Sequence, residues 1–150
     1  MTKLEECFEE GNLHPIPPSE KKARDSLRTA HENLDEAQEA LKNGIIRAAT
    51  NSCYVAIFHG ARAVLFRDGI REKSHFCLEM YLNTYVVSGK LERKWILFFA
   101  HMRSRRDINQ YGFEPPLTRE EMERALEMAS EFIEEMERLL TMDNEKTEIR

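Results

Sequence analysis

The sequence predicts an all-α protein, an antiparallel up-and-down bundle of about five helices. Three observations carry this. Apolar residues recur at helical spacing in several long segments, strand-like alternation is missing ("YVV" at Tyr85–Val87 is too short), and glycine or proline punctuation separates the segments.

The first eighteen residues end in "HPIPP", which cannot continue a helix. Residues 1–18 are therefore expected to be a short, flexible, loosely attached leader. Ser19 can cap a first helix running to Lys42, where Ala23, Leu27, Ala30, Leu34, Ala37 and Leu41 form one apolar stripe on a charged rod. Asn43–Gly44 ends it. A second helix over 45–67 is apolar around most of its surface and is expected at the centre of the bundle. Ala56, Gly60 and Ala63 give it a side that a neighbouring helix can approach closely.

The third helix is expected from Ser74 to Val87, ended by "SGK", and the fourth from Leu91 to about Ile108, carrying "WILFF" and then three arginines. After the "EPP" break, Thr118 and Glu121 have capping-box spacing for a fifth helix with Met122, Ala125, Ala129, Phe132, Met136 and Leu139–Leu140 on one face. The bundle is thus expected over 19–140, and the polar residues 141–150 are expected to fray.

The net charge of −5 is unevenly distributed. Residues 45–113 carry eleven bases and five acids, whereas residues 114–150 carry five bases and twelve acids. A positive middle segment leaves room for a polyanion site despite the acidic chain. No apolar run is long enough to span a membrane, and the acidic start does not resemble an export signal. Three cysteines without close-spaced pairing, Cys7, Cys53 and Cys77, suggest reduced thiols and a cytoplasmic protein, with Cys53 and Cys77 as small core residues.

No metal site and no cofactor is expected. His75 and Glu79 share a face, but no HExxH or CxxC spacing, phosphate-binding glycine loop or GxSxG elbow is present. His59, on the apolar second helix, reads as a hydrogen-bonded core residue. His31 is one turn before Asp35 and reads as its surface partner. His75 could cap the third helix or line a cleft, and His101 shares a face with Arg105, which makes it a candidate for acid–base work.

The stretch "AHMRSRRDINQYGFEPP" is the most informative in the chain. Arg103 and Arg106 are three apart and share a helix face, while Arg105 points elsewhere. Arginines in a last turn complement the helix dipole, but Asp107, Asn109 and Tyr111 nearby also suit recognition of a phosphate or nucleotide.

Several ordered motifs resemble the HEPN superfamily, and within it the branch of stand-alone, largely uncharacterised prokaryotic proteins. "CYVAIFHGARAVL" (residues 53–65) is similar to that branch's tyrosine–alanine–phenylalanine–histidine helix through Tyr54, Ala56, Phe58, His59 and Ala61. "EKSH" (72–75) resembles its lysine-x-histidine turn. "YVVSGKL" (85–91), "RDINQYG" (106–112) and "ALEMASEFIEEME" follow in the expected order, so the resemblance spans about residues 23–140.

The resemblance implies a helical bundle that forms a homodimer. Active members pair two copies of an arginine-x4–6-histidine motif in a shared cleft and cut RNA without metal. Arg106 matches the arginine and Asp107 the polar position after it, but Tyr111 occupies the histidine position. A phenol titrating near about 10 is a weak general base at neutral pH. Family members are also often partnered by minimal nucleotidyltransferases in toxin–antitoxin modules, some of which adenylylate a tyrosine near the motif. Tyr111 is then a candidate acceptor.

Two functional readings and a bland one follow. The first is a nucleotide- or RNA-binding partner of a minimal nucleotidyltransferase, binding through Arg103, Arg106, Asp107 and Tyr111. The alternative is a metal-independent ribonuclease toxin, with Arg106, Tyr111 and His101 as catalytic residues. The third is a purely structural bundle.

Overall fold

The computed structural model describes residues 1–142, and the frayed tail expected over 141–150 lies, from residue 143 on, outside the described residues. It contains α1 (Lys3–Glu9), β1 (Leu13–Pro15), α2 (Glu20–Lys42), α3 (Ile46–Asp68), β2 (Ile70–Glu72), α4 (His75–Val87), α5 (Arg93–Tyr111) and α6 (Arg119–Leu140). The five long helices are those expected, and they form an all-α bundle. No helix among the described residues is long and apolar enough to cross a membrane.

The helix starts follow local chemistry. Ser19, Ser74 and Thr118 each accept a hydrogen bond from a first-turn amide, and Thr118 with Glu121 completes a capping box. The buried stripe of α2 is Ala23, Ser26, Ala30, Leu34, Ala37 and Leu41. It packs along α3 as an antiparallel hairpin, because residues 43–45 leave no room for any other return. Ala23 meets Ala63 and Phe66, and Ser26 Oγ donates to the His59 carbonyl at 2.8 Å. Helix α3 is central and also meets α4, α5 and α6. That position explains why its buried residues surround the helix rather than forming a stripe.

Gly60 faces Ile133 and Met136 of α6, as a close-approach position should. A β-carbon there would lie 3.5 Å from both side chains, which is ordinary contact. The glycine is therefore not required by space, and it carries the usual helix cost of about 1 kcal/mol relative to alanine. Gly60→Ala is expected to raise unfolding stability by about 0.5–1 kcal/mol, read as a higher urea midpoint with an unchanged m-value.

A polar network closes the far end of α3. Arg67 donates through Nη1 to the carbonyls of Leu139 and Leu140 at 3.0 and 2.8 Å, at the end of α6, where Leu139 also accepts from the Met142 amide. Its neighbour Asp68 accepts from the hydroxyls of Tyr81 and Tyr85 on α4. Burial first, and then the Asp68 charge, push both phenols well above their ordinary range. At the other end, Arg119 of α6 donates to the Leu41 carbonyl of α2 at 3.0 Å.

The N-terminal segment departs from the loose leader expected for it. Residues 3–9 are helical, Leu13 is fully buried, and β1 pairs antiparallel with β2 in the register Leu13↔Glu72, His14↔Arg71, Pro15↔Ile70. The strands are three residues each, too short to show alternation, and the prolines that stop a helix are compatible with this edge. Gly69 makes the junction: its φ is +81°, and a β-carbon would meet the Ile16 carbonyl oxygen at 2.8 Å.

Cys7 of α1 is disulfide-bonded to Cys77 of α4, across 70 residues of sequence. The expectation of three reduced thiols therefore does not hold. Sequence spacing hides this pair because it forms only once α1 folds back onto α4. Cys53 is the free, buried thiol expected of a core residue, and burial pushes it up to about 12. His31 pairs with Glu137 of α6 at 3.5 Å rather than with Asp35, since α6 lies beside α2.

Candidate functional site

Helix α5 presents Arg103 and Arg106 on one face, as their spacing requires, and this face is turned toward α3 and α4. The Arg106 guanidinium lies 4.9 Å from the centre of the Tyr54 ring of α3. Its Nε and Nη2 donate to Asp107 Oδ1 at 3.1 and 2.8 Å. The arginine side chain is 23% exposed and Asp107 51%, so the ion pair sits at the mouth of the site with the cation held inward.

Tyr54 joins two elements. Its hydroxyl is 2.7 Å from Nδ1 of His75, the first residue of α4, whose ring stacks on Phe58 at 4.3 Å between centroids. Ser74 caps α4 and so fixes where His75 emerges. Burial pushes the Tyr54 phenol upward, with Arg106 opposing it, so the hydroxyl stays protonated. His75 is lowered below its ordinary 6.5, first by burial and then by Arg106. At neutral pH the pair is thus a neutral phenol beside a neutral imidazole.

Arg103 continues the face. Its Nη2 is 3.1 Å from Glu79 Oε1, an ion pair outside hydrogen-bonding geometry, and its guanidinium lies 5.8 Å from the Phe76 ring centre. Glu79 Oε1 and Arg103 Nε are buried without hydrogen-bond partners among the described residues. Burial raises the Glu79 carboxyl, and Arg103 opposes that shift. The assembled group of Arg103, Arg106, Tyr54 and His75 can hold a phosphate against two guanidinium groups, with an imidazole at its edge.

The remaining predicted residues fall elsewhere. Tyr111 is 80% exposed and lines a shallow recess with Ser104, Asp107, Ile108 and Phe113. At about 100° per residue, Arg106 and Tyr111 are roughly 140° apart around α5, so the helix does not bring them together. His101 is exposed and lines a groove with Phe98, Leu117 and Arg124 on the α6 side. Arg105 donates to the Pro115 carbonyl at 2.8 Å, fixing the turn after α5. Asn109 contacts Asn51 at 3.3 Å. Of the candidates, Asp107 alone is shared between the Arg106 mouth and the Tyr111 recess.

Sequence reasoning offered His75 as a cap or as the lining of a cleft, which it does line, and Tyr54 only as part of the family-like helix; it placed neither with Arg106. The signals available were the i, i+4 pair Tyr54 and Phe58 and the position of His75 just after a serine cap. Neither indicates that Tyr54 lies under Arg106 with His75 hydrogen-bonded to it and within reach of the same charge. His59 is half-buried, with Nδ1 3.5 Å from Ser26 Oγ, the limit of a hydrogen bond. Burial, then Arg62, lowers it as well.

The two lowered histidines fix a pH dependence. Each binds a proton less readily in the folded chain than in the unfolded one, so its contribution to stability is complete above 6.5 and is lost as pH falls through the depressed folded value. The melting temperature is expected to fall between pH 6.5 and 5, and His75→Gln is expected to flatten that slope. An unchanged slope in the variant would assign it to other groups.

Comparison with known proteins gives a consistent picture. The family model described as "HEPN domain" matches residues 23–139. A "UPF0332 protein" of Thermotoga maritima is 28% identical over 114 residues, covering 75% of this chain and 86% of that protein. A second UPF0332 protein, from Pyrococcus horikoshii, is 32% identical over 79 residues, 52% of this chain and 56% of its own length. A protein of Methanocaldococcus jannaschii named "Putative toxin MJ0605" is 28% identical over 115 residues, 76% of this chain and 85% of that one.

Proposed function

Because the chain belongs to the HEPN domain family, we propose that it is a binding module that takes up RNA or a nucleotide on the α5 face, as the partner of a minimal nucleotidyltransferase in a toxin–antitoxin-type module. The observation that carries the reading is the Arg106 guanidinium, laid on the Tyr54 ring beside His75 with Arg103 next to it. The name of the Methanocaldococcus jannaschii relative supports the module.

The protein acts as a homodimer in this reading. Leu97 is 57% exposed and Phe113 fully so, and Leu97, Ile108 and Tyr111 fall on one flank of α5, within a sector of about 60°. A dimer through that flank leaves Arg106 on each protomer's own face. This favours binding over a composite nuclease cleft. A monomer by light scattering at micromolar concentration would remove the dimer from the proposal.

A second reading has its own observation. Arg106 beside a neutral His75 offers a phosphorane stabiliser and a general base without Tyr111, the chemistry of metal-independent RNA cleavage. Incubating pure protein with a structured RNA separates the two. Binding without cleavage supports the first, whereas cleavage lost in both Arg106→Ala and His75→Gln supports the second.

A further inference from the structure

The N-terminal strand, the turn after α3 and the start of α2 enclose another cleft, of about 640 Å³, whose lining does not include Arg106. Four cations from three parts of the chain converge on it: Lys22 of α2, Arg62 of α3, and Arg71 and Lys73 in and just after β2. Three of them lie around one aromatic ring. Lys22, Arg62 and Arg71 are 5.8, 5.9 and 5.7 Å from the centre of Phe66.

The counter-charge is too small for this set. Glu72 is the carboxylate of the cleft, and Arg62 takes both its oxygens, at 2.7 and 3.1 Å. Arg71 reaches the same carboxylate only at 3.8 Å. Among the described residues, neither Lys22 nor Lys73 has a carboxylate within ion-pair distance. Like charges gathered this way repel, and a bound anion relieves the repulsion. The site is built rather than accidental: Arg71 lies on a paired strand opposite His14, which also lines the cleft, and the disulfide ties α1, which precedes that strand, to α4.

We infer that this cleft binds a phosphomonoester or diphosphate group. Arg71 supplies the forked donor, Lys22 and Lys73 supply point charges, and His14 supplies a ring nitrogen at the rim. The cleft shares His75 with the α5 face but needs nothing from Arg106.

The test is calorimetric titration of the full chain with pyrophosphate, AMP and ATP at constant ionic strength, with sodium chloride as the blank. Saturable pyrophosphate binding is expected, weakened at least about tenfold by Arg71→Ser with Lys73→Ser, and a saturable phase is expected to remain in Arg106→Ala. Loss of RNA binding in Arg106→Ala with retained pyrophosphate binding distinguishes this site from the one above. In the Arg106→Ala chain, which silences the α5 face, ATP tighter than pyrophosphate identifies a nucleotide as the source of the phosphate, and equal affinities identify the phosphate alone. Should the double variant fail to fold, Lys22→Gln, on a different element, carries the same expectation. No saturation below ~10 mM, or saturation that the variants leave unchanged, overturns the inference.

Discussion

Replacing Arg106 with alanine is expected to lower the affinity for a single-stranded RNA by about 10- to 100-fold, the range for losing a charge-assisted contact held in a half-buried site. The slope of log affinity against log salt should become shallower by about one contact. The fold should survive. The guanidinium stacks on Tyr54 at 4.9 Å and pairs with an exposed aspartate, so the change removes about 1 kcal/mol of cation–π contact rather than a core element. Arg105→Ala is the matched control, because that arginine is occupied with the Pro115 carbonyl. Equal affinity for wild type and Arg106→Ala would place RNA recognition elsewhere.

The largest expected loss of stability comes from Arg62→Met. The Glu72 side chain is 4% exposed and its two oxygens depend on Arg62. Methionine keeps the length of the stem but loses the guanidinium that lies 4.7 Å from the centre of the Phe58 ring, and it leaves a carboxylate buried with only the more distant Arg71. Breaking a buried pair from one side costs about 3–5 kcal/mol, and Arg71 brings the expectation to the lower end, near 3. Urea unfolding measures it. Adding Glu72→Met to the same chain should restore much of the loss, because an apolar pair needs no counter-charge. If the double variant is no more stable than the single one, β2 depends on the carboxylate for some other reason.

The helices were legible in the sequence because their determinants are local. Ser19, Ser74 and Thr118 mark starts within the residues they cap, and the stripes of α2 and α6 repeat every few residues. The inner face of α5 was half legible, since Arg103 and Arg106 share a side by spacing alone. Its other half was not, because Tyr54 and His75 come from two other helices and meet only through the fold. The motif spacing from Arg106 to Tyr111 suggested one site, but a straight helix turns those two residues apart. The first eighteen residues misled for a related reason. Their partners are Cys77 and the strand Ile70–Glu72, far along the chain, and no periodicity announces such a contact.

That last arrangement has a consequence for how the protein is made. β1 leaves the ribosome early, yet the strand it pairs with appears only after the whole α2–α3 hairpin has been translated. The opening residues, including Leu13 with its fully buried side chain, must therefore wait unpaired while the hairpin forms. β1 is thus synthesised well before its partner strand and is among the later parts to dock. During that interval a nascent chain offers an unpaired strand and the uncovered Leu13 side chain to chaperones or to its neighbours on the same messenger.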